Sequence, residues 1–476
     1  MDSIGSFGPR VTFSGLASGL DTGVLIQALL DFERRPLNLL EARKSDLESG
    51  QSLLRDLNQR LLTLREAARA IDNRTSGLTA AAVSEELLSY KASSSDESLI
   101  EVEAGDGAQP GTSAIRIDQL ANVARRVSAG FTDADQSIAT AAETLTIDFG
   151  AGQQISLAVP AGTTLNGLRD LINQDASNDG SVRADVLFDG SGYRLTVSGV
   201  ASGAANDVTV TTSLTGPAGG AFIDAALGQN ASDAQLVYLG IPVTRASNDI
   251  TDLIPGVTLR LRGAHDPASP TDTVDVDVSR DDDAIAAKLT ALVDAYNAVR
   301  DFSLAQSAVD PNSDRGGLLS GDALVRGVEQ RLQLTLGGFY SFTGNSLGSL
   351  GQIGIRFDSE GRLGLDQEVM RAALDADPLA VRELLSGDGT TDGVATALAR
   401  VLEPIVRTGD GTLALRDAAI DQRIESFEQQ IERFEARLEK REESLLLQFS
   451  RLETLISSFQ GQSSFLASLT ANSNDA

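Results

Sequence analysis

Residues 420–449 read IDQRIESFEQQIERFEARLEKREESLLLQF. An apolar residue recurs here every three or four positions, and Glu and Arg fill most of the positions between. Such a narrow apolar stripe predicts a long helix that pairs with another helix along a coiled-coil seam. Beyond the stripe the pattern resumes with a one-residue shift, so we expect local unwinding near 445–447. The predicted seam residues are Ile420, Ile424, Phe427, Ile431, Phe434 and Leu438.

A second stripe of the same kind, near the N-terminus, supplies the partner helix. Pro36 precedes it, and we expect a helix break there because proline lacks the amide donor and restricts Arg35. Asp21 is placed to cap the helix that starts near Gly23, by accepting hydrogen bonds from its first amides. The predicted core residues of this helix are Leu47, Leu54, Leu57, Leu61 and Leu64.

The middle of the chain has a different pattern, with Gly, Ser, Thr, Val and Asp and a period of two in apolar residues. Segments such as 115–117, 145–149 and 274–278 therefore predict short strands in compact β-rich domains. A short helix is expected at 164–173, within a range, 129–234, that resembles an insertion. After 281 the helical pattern returns at 284–302 and 322–336, followed by a strand pair at 353–357 and 363–365. The predicted fold class is α+β and multidomain: the long N- and C-terminal helices pair as a coiled-coil leg, and β-rich head domains are inserted between them.

Composition excludes most chemistry. The 476 residues carry 39 basic and 67 acidic side chains, a net charge of −28, which argues against nucleic-acid binding. There is no Cys, no Trp and a single His, so thiol catalysis, cysteine-ligated metals and multi-histidine metal sites are excluded. We therefore expect no enzyme, no cofactor and no metal. The chain start lacks the features of a cleaved signal peptide, and no apolar run is long enough for membrane insertion.

Three polar features invite a functional interpretation, and each has a simpler one. The loop 310–316 has oxygen ligands at alternating positions, but the glycine and glutamate that a calcium loop needs are replaced by Arg315 and Gly321. Three aspartates at 281–283 precede a helix, where they favour a capping role. His265 lies in a turn-like stretch without a nucleophile nearby and is expected at the surface.

Several segments, taken in order, resemble one protein family. The stretch GLASGLDT at 15–22, followed by Pro36, resembles the N-terminal signature of the flagellar filament-capping proteins, the hook-associated protein 2 family. The stretches 111–121, 240–259 and 350–355 resemble later parts of the same family, as does the pair 296–297. Each piece alone is weak, and for 15–22 the residues by themselves leave a flexible linker open. Their common order along the chain carries the resemblance.

The resemblance implies a ring, expected to be a pentamer, at the distal tip of the flagellar filament. It implies that the ring promotes folding and incorporation of exported flagellin and prevents its loss to the medium. The implied location is extracellular, reached unfolded through the flagellar type III pathway without a cleaved signal peptide. The implied partners are other copies of the chain, flagellin, hook–filament junction proteins, the export apparatus and an export chaperone. The filament-docking or hinge residues so implied are Gly15, Leu16, Ser18, Gly19, Leu20, Asp21 and Pro36.

Domain ranges follow from the pattern and the resemblance together. The N-terminal filament-docking segment is predicted at 1–40, and a leg helix at 41–77 pairs with 281–440. The β-rich head domain combines 78–128 with 235–280, and an inserted outer head domain covers 129–234. The range 281–440 forms a helical leg domain with a β-hairpin and the coiled coil, and 441–476 forms a C-terminal docking helix.

Three alternatives stay open at this stage. One is another exported flagellar axial protein, such as a hook–filament junction protein, which shares helical termini around a variable middle. Another is a surface adhesin that uses the β-rich head to bind host mucin or glycans. The last of them is an enzyme that acts through carboxylates, which loss of a hydrolytic activity on Asp or Glu substitution would support.

Overall fold

The computed structural model describes residues 21–73, 86–105, 107–150, 152–307 and 317–472. The helices are α1 Thr22–Arg69, α2 Leu165–Gln174, α3 Asp282–Ser307, α4 Ala323–Leu336, α5 Gln367–Ala376, α6 Pro378–Ser386, α7 Val394–Val406 and α8 Thr412–Asn472. The strands are β1 Tyr90–Ser94, β2 Ile100–Ala104, β3 Gly111–Gln119, β4 Val123–Val127, β5 Glu143–Phe149, β6 Gln153–Val159, β7 Val182–Phe188, β8 Tyr193–Ser202, β9 Val208–Thr212, β10 Ala234–Tyr238, β11 Ile241–Arg245, β12 Asp249–Ile254, β13 Val257–Leu261, β14 Val274–Arg280, β15 Ile355–Phe357 and β16 Leu363–Leu365.

These elements form two units, one from 1–72 with 288–476 and the other from 73–287. The first contains the long helices α1 and α8, and the second contains most of the strands. The predicted fold class, with long terminal helices around a β-rich middle, is confirmed.

Helix α1 is continuous from Thr22 to Arg69. The Oδ1 atom of Asp21 accepts hydrogen bonds from the amides of Gly23 and Val24 at 3.1 and 3.2 Å, which confirms the predicted cap. The predicted break at Pro36 is wrong, because Pro36 lies inside the helix. Its ring is on the exposed face, so the carbonyl of Phe32, which loses an amide partner to the proline, faces the solvent side.

Helix α8 is continuous as well, so the expected unwinding near 445–447 is wrong. An ideal helix drifts by about 20° per heptad relative to a 3.5-residue repeat. Over the roughly five heptads from Ile420 to Ile456 the drift reaches about 100°, the angle of one residue. Phe449 and Ile456 are accordingly half-buried, while Leu452 is exposed. The one-residue shift in the pattern is the accumulated drift of a regular helix.

The C-terminal part of α1, at residues 60–69, lies in a helical bundle within the first unit. Arg65 and Arg69 bind Glu403 of α7 at 3.3 and 2.8 Å, and Arg60 donates to the carbonyl of Ala298 in α3 at 3.2 Å. These contacts place further helices beside α1, which explains why its apolar side chains at Leu61, Leu64 and Ala68 are fully buried.

The predicted strand pair in this unit is confirmed as β15 and β16, which pair antiparallel. Asn297 holds it to α3: its side-chain amide donates to the carbonyl of Leu363 and its side-chain oxygen accepts from the Leu363 amide, both at 2.8 Å. Tyr296 donates from its hydroxyl to the carbonyl of Gly361 at 3.0 Å. Tyr296 and Asn297, the pair that is part of the family resemblance, thus hold the turn between β15 and β16 against α3.

The second unit contains two hydrophobic cores. In the first, a five-stranded sheet ordered β1-β14-β3-β10-β11 and a three-stranded sheet ordered β12-β13-β2 contribute side chains. In the second, the sheets β4-β8-β7 and β6-β5-β9 pack with α2. Helix α2 confirms the predicted short helix, and Thr164 caps it by accepting from the amide of Gly167 at 3.1 Å. Each core is built from alternating residues of its own strands.

His265 is buried, so the expected surface position is wrong. Its amide donates to the carbonyl of Ile117 at 2.9 Å, and its Nδ1 atom accepts from the Ile117 amide at 3.0 Å. These two hydrogen bonds hold the loop after β13 against β3. The predicted cap before α3 is confirmed for Asp281, whose Oδ1 accepts from the amide of Ala284 at 3.1 Å.

Candidate functional site

Helices α1 and α8 pack side by side in antiparallel orientation within the first unit. A ladder of polar contacts records their register, because the partner number on α8 falls as the residue number on α1 rises. The contacts are Thr22 with Glu453 at 3.5 Å, Glu33 with Arg441 at 3.1 Å, Lys44 with Glu428 at 2.7 Å, Gln51 with Asp421 at 2.5 Å and Arg55 with Asp417 at 2.8 Å.

The residues predicted for the coiled-coil seam are buried to different extents. On α1, Leu54, Leu57, Leu61 and Leu64 are buried and Leu47 is half-buried. On α8, Leu438 is buried, while Ile420, Ile424, Phe427, Ile431 and Phe434 are half-buried. Two helices alone cannot enclose a seam completely, whereas the α1 residues nearest the bundle are covered from several sides.

Three polar residues of α1 lie in the same inward stripe, and the sequence analysis missed them. Gln51 is 6% exposed and donates from its amide to the Asp421 carboxylate. The hydrogen bond to Glu428 raises the pKa of the Lys44 ammonium above its ordinary value. Glu33 makes the third contact, to Arg441. Counting back by sevens from Leu54 reaches Glu33, and the positions three residues before Leu54 and Leu47 are Gln51 and Lys44, so the same 3/4 spacing would have found all three.

The end of the leg remote from the bundle is held by a small apolar cluster. Ile26 and Leu30 of α1 pack with Leu445 of α8, and Leu446 and Phe449 lie against them. This cluster holds the two helices together at that end.

Beside that cluster, both helices expose further apolar side chains. Phe32 is 66% exposed and Phe459 is 62% exposed. We refer to these exposed faces of the two helices together as the distal apolar stripe; its members are Leu25, Leu29, Phe32 and Leu39 on α1 and Leu452, Leu455 and Phe459 on α8. Successive members lie three, four or seven residues apart, so on each helix they share one face. An exposed patch of this kind is typical of a protein interaction site.

The predicted docking and hinge residues fall partly on this end. Asp21 caps α1, and Pro36 is exposed on α1 between Phe32 and Leu39. Gly15, Leu16, Ser18, Gly19 and Leu20 lie outside the described residues, as does the loop 310–316.

Two other kinds of functional feature, metal sites and membrane-spanning helices, are not found among the described residues. Across 21–73, 86–105, 107–150, 152–307 and 317–472, no group of three or more His, Asp or Glu side chains is arranged to hold a metal ion. Within the same ranges no helix combines the length and apolarity needed to cross a bilayer.

The chain is similar to known proteins of one family. Residues 18–124 match the description "Flagellar hook-associated protein 2 N-terminus", and residues 231–461 match "Flagellar hook-associated protein 2 C-terminus". The B-type flagellar hook-associated protein 2 of Pseudomonas aeruginosa is 26% identical over 461 residues, covering 92% of this chain and 94% of that protein. The flagellar hook-associated protein 2 of Escherichia coli K12 is 26% identical over 484 residues, covering 97% and 98%.

A solved structure agrees with these sequence matches. The crystal structure of the D1-D2-D3 domains of the flagellar cap protein FliD from Escherichia coli superposes with a TM-score of 0.63 and 25% identity. The superposition covers 78% of this chain and 99% of that one.

Proposed function

The chain belongs to the flagellar hook-associated protein 2 family, the proteins of the flagellar filament cap, and from that membership we propose that it forms a ring at the distal filament tip that retains exported flagellin and promotes its folding and incorporation. The family is a structural one and not a known enzyme family. Neither a junction protein nor an adhesin is favoured by these matches.

The distal apolar stripe carries the proposal at the level of residues. A leg of two helices exposes Leu29 and Phe32 on one helix and Leu455 and Phe459 on the other, at the end remote from the bundle. Burying such side chains against a partner removes apolar surface from water, which favours association. We assign this stripe to the contact with flagellin, because a cap must hold a subunit that is not yet packed in the filament.

The domain ranges predicted above follow the same assignment. Residues 1–40 and 441–476 are the docking segments, 41–77 with 281–440 is the leg, 78–128 with 235–280 is the head domain, and 129–234 is the outer head domain. The chain acts without catalysis. An export chaperone binds the chain before export, and the flagellar type III export apparatus then carries it to the tip. There the chain contacts the hook–filament junction proteins when the cap first forms.

The test uses the bacterium that makes this chain, with the gene deleted and then replaced by variants. Deletion should leave bare hooks and unpolymerised flagellin in the medium. The full-length variant with Leu29→Ser and Phe32→Ser should do the same, since it removes stripe side chains that are exposed before docking. Flagellin in the medium is measured by immunoblotting, and filaments are counted by electron microscopy.

A matched control separates docking from general surface effects. Leu334 lies on α4, is 68% exposed and is not part of the stripe, so Leu334→Ser should leave filaments as they are with the native chain. Helix content of both variants, measured by circular dichroism, should equal that of the native protein. Normal filaments after deletion would remove the capping function. Normal filaments with the stripe variant alone would remove only the assignment of the stripe.

A further inference from the structure

The charges of α8 are sorted onto its two sides along the leg. On one side, each glutamate follows directly after a position of the seam, and we call this set the acidic flank: Glu425, Glu428, Glu432, Glu435, Glu439 and Glu442. On the other side, basic residues directly precede positions of the seam, and we call them the basic flank: Arg423, Arg433, Arg437 and Lys440.

The flanks are almost entirely free of internal partners. On the acidic flank, Glu428 binds Lys44, and the remaining glutamates make no ion pair within the described residues. On the basic flank, Arg437 lies over the ring of Phe434 at 5.0 Å and binds no carboxylate in the part of the chain that the structure describes. Over the described length of α8, no ion pair joins two of its own residues.

This arrangement works against the helix that carries it. Residues three or four apart on a helix are neighbours, and opposite charges there stabilise it while like charges destabilise it. Glu432, Glu435 and Glu439 are like-charged neighbours in series, and Arg433 and Arg437 are another such pair. A helix optimised for its own stability would place opposite charges three or four residues apart. The observed separation of charges therefore indicates that the two flanks face a complementary charged surface outside the chain.

A second copy of the same chain provides that surface. The acidic flank covers 425–442 and the basic flank covers 423–440, so both lie at the same height on α8. In a ring, neighbouring copies are related by rotation, and equal residue numbers lie at equal heights when the legs follow the ring axis. The acidic flank of one copy then meets the basic flank of the next, all around the ring.

We propose that the legs of neighbouring copies bind each other through these two flanks, an inference that rests on the ring of the proposed function. A groove of about 380 Å³ between Lys44 and the glutamates at 425–435 leaves room for arginine side chains from the next copy. The chain as a whole carries a charge of −28, so copies repel one another in general. The flanks supply local attraction that overcomes this repulsion and orients the copies.

The experiment reverses each flank in the full-length chain. One variant carries Glu432→Lys, Glu435→Lys and Glu439→Lys, and a second carries Arg433→Glu, Arg437→Glu and Lys440→Glu. A third carries all six substitutions and keeps the native net charge. Self-association is measured by analytical ultracentrifugation at low and high salt, and helix content by circular dichroism.

Each single-flank variant should associate about tenfold more weakly than the native chain, because three ion pairs become repulsive contacts. The variant with all six substitutions should associate with itself as the native chain does. It should not associate with the native chain, because the flanks that face each other would then carry charges of the same sign. Native association should weaken as salt rises. If net charge alone mattered, the first variant would associate more tightly than the native chain, because it is less negative.

Three outcomes would overturn the inference. Single-flank variants that associate like the native chain would do so, as would a well-folded six-fold variant that does not regain association. In the second case the flanks would serve a different charged partner. A native chain that never self-associates would overturn the ring as well, whereas native rings that are insensitive to both flanks overturn this inference alone.

Discussion

At the scale of single residues, the polar members of the seam explain how two long helices choose one register. Leucine stripes match one another equally well after a slip of one heptad, whereas a polar residue in the stripe has a partner at one level only. Gln51 is buried and reaches Asp421, and Lys44 reaches Glu428. These residues contribute less to stability than leucines would, and they specify alignment instead.

The register can be tested because the chain contains no native cysteine. Cysteines at Leu47 and Ile424 lie at the same level of the ladder, while cysteines at Leu47 and Ile431 are one heptad out of register. In the native background only the first pair should cross-link on oxidation. With Gln51→Leu and Lys44→Leu added, the second pair should also cross-link in part, because the two polar contacts nearest these cysteines no longer penalise the slip. Cross-linking that stays confined to the first pair would show that polar residues do not determine the register.

At the scale of elements, α1 keeps a proline inside a helix of 48 residues. An interior proline removes one backbone hydrogen bond and costs about 3 kcal/mol or more. Contacts on both sides offset that cost, since Leu30 and Leu37 are buried. The proline therefore marks the weakest point of a continuous helix and lies beside the exposed ring of Phe32.

Replacing the proline should strengthen that point. Pro36→Ala is expected to stabilise the distal part of α1 by about 1–3 kcal/mol, which restores the missing hydrogen bond at some cost in unfolded-state entropy. Hydrogen exchange of the amides at 23–40 should slow by a corresponding factor. Asn38→Ala, at an exposed neighbouring position, serves as the control and should gain only the difference in helix propensity, about 0.6 kcal/mol. Equal protection in the two variants would contradict this account.

At the scale of the whole molecule, the chain divides into two units. The β-rich unit at 73–287 contains two hydrophobic cores of its own. The helical unit depends on long-range packing of α1 with α7 and α8. Cores that are built from different residues can unfold at different free energies.

The helical unit should therefore melt alone when its centre is disrupted. Leu57 and Leu61 are 1% and 0% exposed, so Leu57→Asp with Leu61→Asp should destabilise this unit by more than about 5 kcal/mol and abolish capping. Limited proteolysis of the full-length variant should cut α1 and α8 and leave 86–281 resistant. Loss of resistance in both units together would show a single cooperative molecule.

The helical ends and the β-rich middle were predictable because each depends on local periodicity. A stripe that repeats every three or four residues buries one side of a helix whatever its partner is, so Ile424 and Leu57 were assigned to a seam without knowledge of the fold. The capping aspartates at 21 and 281 follow from the same local rules. The strand pair at 355–365 followed from alternation and a glycine turn.

Tertiary structure alone decided the features that depend on distant residues. Long-range packing kept α1 continuous through Pro36, and hydrogen bonds with Ile117 hold His265 in a buried position, although its own neighbours in sequence suggest a surface turn. The polar contacts of Gln51 and Lys44 became visible only when α8 was in place beside them. By itself the sequence determined which face of each element is apolar, because that depends on spacing along one segment. The structure decided which surfaces meet and which stay open, because those contacts join residues hundreds of positions apart.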